Sequence, residues 1–95
     1  MTGQEQEFEK IISILEGSAK VIEDRLVIST KWYEVQKQNL ADLEAEYART
    51  HDETIKAALD AQREATAEAY DAMLSDAEDY AKALTEIYKN EVAAA

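Results

Sequence analysis

The chain has no cysteine and no proline, and its only glycines are Gly3 and Gly17. Without cysteine there is no disulfide staple and no thiolate metal site, and the compartment is left undecided. Without proline, and with so few turn formers among so many Ala, Glu, Lys, Leu and Gln, a sheet protein is excluded in favour of an all-α chain. Long apolar runs are missing as well: short pieces such as Ile11-Ile12 cannot span a bilayer. Basic residues are scarce, ten against twenty-one acids, for a formal net charge of −11. Such a surface repels phosphate backbones and anionic membrane faces, so direct nucleic-acid and membrane binding are not expected. Proteins are the expected partners, above all ones with a basic surface. The acidic start MTGQEQEFEK is unlike a secretory or organelle leader. A cytoplasmic location is the default, with signal-less secretion or a place in a virion left open.

Ninety-five residues are read as a single helical domain, residues 1–95. A chain of this size buries only about 60–65% of its unfolded surface, which leaves a monomer a thin margin. What is present is periodicity. In the first half, Phe8, Ile12, Leu15, Ala19, Ile22, Leu26, Ser29, Tyr33, Gln36, Leu40, Leu43 and Tyr47 follow one another in steps of 4 and 3. That is the seam of a coiled coil. In the second half the seam reads Ile55, Leu59, Gln62, Thr66, Ala69, Met73, Ala77, Tyr80, Leu84 and Ile87, with a one-place slip at Ala77. The tyrosines at 33, 47, 80 and 88 fall on or beside seam positions, which suits core packing, whereas Tyr70 is read as exposed.

The two seams are out of register, and the stretch ARTHDETIKAAL lies between them. Thr50-His51-Asp52-Glu53 fits a capping box, in which the threonine hydroxyl accepts from the Glu53 amide and the Glu53 carboxylate reaches back to the Thr50 amide. Thr2-Gly3-Gln4-Glu5 repeats the pattern at the chain start. Two start signals predict an elongated antiparallel helical hairpin, helix one about 4–48, a turn about 49–51 and helix two about 52–91. Each arm would be on the order of 60–65 Å long. Two architectures compete: one long kinked helix, and a three-helix bundle broken in the β-branched run Val27-Ile28-Ser29-Thr30.

Helix one carries more apolar surface than one partner can cover. Ile14, Val21, Ile28 and Val35 recur every seven residues, flanked by Ile11 and Trp32, well away from the seam. Left wet, they exceed the patch a soluble monomer usually exposes. The expectation is a self-associated bundle with Trp32 as its anchor, since tryptophan is so often a hot spot. A monomer covering the same face with residues 33–48 is the alternative. Helix two is the opposite: alanine-rich, thin, and edged by the acidic row Asp60, Glu64, Glu68, Asp71 and Glu78. That row is either a solvated face or a docking face for a basic protein surface.

Chemical constellations are absent from the sequence. His51 is the only imidazole and sits at a turn, with Asp52 and Glu53 beside it. Ala48 stands where the Glu-x-x-His pattern of di-iron bundles would need a glutamate. No Gly-rich phosphate loop occurs. No catalytic residue, metal site or cofactor is assigned, and an enzyme is not expected.

In size, acidity, lack of cysteine and a single mid-chain tryptophan, Trp32, the chain resembles the WXG100 class of small helical hairpins exported by type VII secretion. The resemblance implies a signal-less secreted partner that docks on another protein. Its motifs differ here: Trp32 is followed by Tyr33 and Glu34 instead of x-Gly, and Tyr80 and Tyr88 are followed four residues on by Leu84 and Val92 instead of an acid. The sequence therefore favours a non-enzymatic, self-associating structural, assembly or adaptor protein, for instance of a viral or other large assembly. A small acidic inhibitor is the alternative.

Overall fold

A computed structural model describes residues 3–94, with side chains through residue 93. The described chain is two antiparallel helices, α1 (Gly3–Thr50) and α2 (Glu53–Ala94), with no strand. The all-α hairpin is what the two seams predict. Neither competing architecture forms. The run Val27-Ile28-Ser29-Thr30 stays helical, with Ser29 and Thr30 turned partly inward. Packing outweighs the weak helix propensity of its β-branched residues.

The turn differs from the capping-box expectation. Helix α1 runs two residues further than expected, and His51 donates its amide to the Tyr47 carbonyl at 2.8 Å. His51 then takes φ 52°, the left-handed conformation that ends many helices and is most often glycine's. Its ring meets Tyr47 edge-on at 5.7 Å. The N-cap of α2 is Asp52, not Thr50: an Asp52 carboxylate oxygen accepts from the Thr54 amide at 2.8 Å, and the Asp52 carbonyl takes the first helical bond from Lys56 at 3.0 Å. Thr50 is still inside α1, so its hydroxyl donates to the Glu46 carbonyl at 2.9 Å. The matching pattern at Thr2 lies outside the described residues.

Contacts gather the chain into two units, one from Val27 to Leu74 and one made of the chain up to Leu26 with the chain from Ser75 onward. In the unit that holds the turn, Leu59, Thr66 and Ala69 are buried against α1, and Tyr33 meets Tyr70 at 5.3 Å. A polar layer crosses this seam. The Gln62 side-chain amide donates to the Gln36 side-chain oxygen at 2.6 Å, and the Thr66 hydroxyl donates to the Gln36 and Gln62 carbonyls at 3.3 and 2.8 Å. In the other unit Ala19 is buried, the Tyr80 hydroxyl donates to the Glu23 carboxylate at 3.3 Å, and Arg25 pairs with Asp79 at 3.8 Å.

Every α1 seam position from Phe8 to Tyr47 is buried or half-buried. In α2 the expected slip at Ala77 does not occur. The inward positions run Met73, Asp76, Tyr80, Ala83, Ile87 and Asn90, an unbroken heptad; Ala77 is half-buried beside Asp76, whereas Leu84 is 46% exposed. Hydropathy favoured Ala77 and Leu84 over Asp76 and Ala83, but a straight helix keeps its angular step whatever side chain it meets. Tyr88 is correspondingly turned out, 67% exposed, against the expectation of core packing. Among the described residues no large side chain is fully buried, so the hairpin's core is thin.

Candidate interaction surfaces

The flanks of the seam follow from helix geometry. When two right-handed helices run antiparallel, residues one place before a seam position lie on one side of the pair in both helices. Residues one place after lie on the other side. Arg25 precedes Leu26, Asp79 precedes Tyr80, and the two form an ion pair, which fixes the first flank. Glu23 follows Ile22 and is reached by Tyr80, and Lys37, after Gln36, lies over the Tyr33 ring at 5.8 Å, both on the second flank.

Ile11, Ile14, Val21, Ile28, Trp32 and Val35 each precede a seam residue of α1, so all six sit on the first flank. They are 42–68% exposed. On the same flank of the turn-bearing unit, α2 presents Ala65, Glu68 and Ala72 near the levels of Ile28, Trp32 and Val35. In the other unit this flank has an open dent of about 280 Å³, with Leu15, Ile22 and Ala83 in it and Ser18, Asp79, Lys82 and Glu86 around it. Ligand pockets run to roughly 300–1,000 Å³, so the dent has room for one side chain more readily than for a small molecule. It was missed in the sequence because the slip placed Leu84, not Ala83, in the seam.

The acids Asp60, Glu64, Glu68, Asp71 and Glu78 are all exposed. Asp60 pairs with Arg63 one turn on, at 3.3 Å. A second apolar row, also missed, lies on the other flank of α2: Leu74 in the turn-bearing unit, Leu84 and Tyr88 in the other. Two groups titrate away from their ordinary range. The hydrogen bond from Lys20 to Asp24, with that carboxylate's charge, holds the Lys20 ammonium up. Partial desolvation, then the Glu23 charge and hydrogen bond, holds the Tyr80 phenol up.

His51 is exposed and spent on the turn, its ring against Tyr47. Among the described residues no group of three His, Asp or Glu side chains is placed to hold a metal ion. No described helix is long and apolar enough to cross a membrane. No family model matches the chain, and neither curated proteins nor solved structures gave a match. What the fold defines is a class: an all-α antiparallel helical hairpin with one flank of α1 left apolar and open.

Proposed function

We propose that this chain is a non-enzymatic protein that self-associates through α1 and acts by protein–protein contact, as a structural, assembly or adaptor component. The observation that carries the reading is the open row Ile11, Ile14, Val21, Ile28, Trp32 and Val35. Six large apolar side chains at these exposures present on the order of 600 Å² per chain, the upper end of what a monomer usually leaves wet. Pooling them between copies removes that surface from water. It also adds core volume to a two-helix seam in which no large described side chain is fully buried.

The single tryptophan makes this testable without a label. Burial of Trp32 between chains shifts its emission to the blue as concentration rises, and Ile28→Asp abolishes the shift. Emission that is constant over a hundredfold dilution, and equal in the two proteins, contradicts self-association through this row.

The exposed acids of α2 support a second reading, docking of that face on a basic protein surface. On that reading, Glu64, Glu68 and Asp71 changed to lysine lose the partner while the oligomer persists, and salt weakens the complex strongly. Partner loss by Ile28→Asp alone, with these lysines harmless, overturns it.

A further inference from the structure

The self-association reading leaves open how two copies meet, and the spacing along α1 constrains it. We infer that two copies pair their α1 helices antiparallel about a two-fold axis beside Arg25, each seating its Trp32 in the dent of the other. The inference rests on the self-association reading.

Within each unit α1 is an unbroken helix, so the spacings among Ile14, Ser18 and Val21, and those among Ile28, Trp32 and Val35, convert directly to levels. Bringing Val21 of one copy level with Ile28 of the second also brings Ile14 level with Val35, and both relations then hold twice by symmetry. Trp32 arrives level with Gly17 and Ser18. Trp32 and Ser18 each precede a seam residue by one, so the two-fold puts them on the same side of the α1 pair. That side is the one facing α2, where Ser18 borders the dent that also holds Leu15, Ile22 and Ala83. Gly17 adds clearance there, since a Cβ built on it meets nothing within 4 Å. A 42%-exposed indole and an unfilled hollow of side-chain size are thus brought together by a register chosen only to match aliphatic residues.

At the axis charge agrees with this register, while at each end it sets Glu7 level with Asp42. Arg25 and its partner Asp79 lie at the axis, so two ion pairs meet there, and each arginine finds the other copy's aspartate beside its own. Other registers do worse. A shift that sets Val21 on Val21 leaves Val35 opposite Glu7, and one that sets Ile28 on Ile28 leaves Ile14 opposite Asp42. A parallel, in-register pair leaves both dents empty. The area also suffices: on the order of 600 Å² per chain from the six-residue row, with the dent walls added, approaches the roughly 800 Å² per partner of a standard interface.

The test is Ser18→Arg, at an exposed position where helix formation is unaffected. Blocking the dent is expected to weaken association at least about tenfold, the loss of one buried tryptophan anchor. Trp32 emission is then expected to stay red at concentrations where the parent is blue. Because the chain has no cysteine, a mixture of Val21→Cys and Ile28→Cys chains serves as a second arm and is expected to form the mixed disulfide ahead of either like pair. Wild-type association by Ser18→Arg, with Ile28→Asp monomeric, overturns this arrangement and leaves the self-association reading standing. Predominance of like disulfides does the same. A parent chain that is monomeric throughout overturns both.

Discussion

Gln62 of α2 and Gln36 of α1, twenty-six residues apart, meet through a 2.6 Å hydrogen bond in the seam of the turn-bearing unit. The pair is part-buried, and the Thr66 hydroxyl completes the layer. A polar layer of this kind specifies register at a cost in stability, because a slip of either helix leaves donors unmet. Gln62→Ala strands the Gln36 side chain and is expected to destabilise by about 1–3 kcal/mol in urea unfolding. Leucine at both positions is expected to be neutral or stabilising. A double variant that loses as much as the single one contradicts the register role.

The turn rests on a histidine in a conformation that suits glycine. A side chain at positive φ costs roughly 1–2 kcal/mol, and a β-branched one more than histidine. His51→Val is therefore expected to unfold at lower denaturant than the parent, and His51→Gly at the same or higher denaturant. Glycine relieves the backbone but gives up the Tyr47 edge contact. Equal stability of the two variants contradicts the left-handed turn.

Asp52, not Thr50, starts α2. Asp52→Ala is expected to cost about 0.5–2 kcal/mol, the range for removing a side-chain N-cap. Glu53→Gln, whose carboxylate makes no capping bond, is expected to cost a few tenths by loss of helix-dipole interaction. The reverse order in thermal unfolding would restore the capping box read from the sequence.

Stability is expected to fall on the alkaline side. The Tyr80 phenol is held above its ordinary value in the folded chain, so its contribution is complete below the unfolded value, about 10, and is lost as pH rises through the folded value. Lys20, also raised, acts in the same direction. Tyr80→Phe removes the first contribution. Its thermal midpoint is expected to decline less than the parent's between pH 9 and 11; parallel decline would sink this assignment.

Much of this fold can be read from spacing, and the exceptions are instructive. Phe8 to Tyr47 could be placed on one face because an unbroken 4-3 repeat over nearly six heptads has few accidental sources. The second half misled where composition and geometry disagree: Asp76 is half-buried along with Ala77, and Ala83 takes the inward position that hydropathy gives to Leu84. The cap moved from Thr50 to Asp52 because a capping motif does not say where the preceding helix ends, and His51 decides that by turning left-handed. The open row on α1 could be named residue by residue, since seven-residue recurrence outside the seam needs no tertiary knowledge. The dent beside Ser18 could not, because it exists only where Ala83 of α2 faces α1.

The central claim is that α1 meets another copy of itself, and the mass in solution tests it most directly. Light scattering behind a sizing column, across a tenfold concentration range, is expected to give at least twice the chain mass for the parent. One chain mass is expected for Ile28→Asp, with helicity retained. A parent chain at single-chain mass throughout, with Trp32 solvent-exposed, would contradict the account.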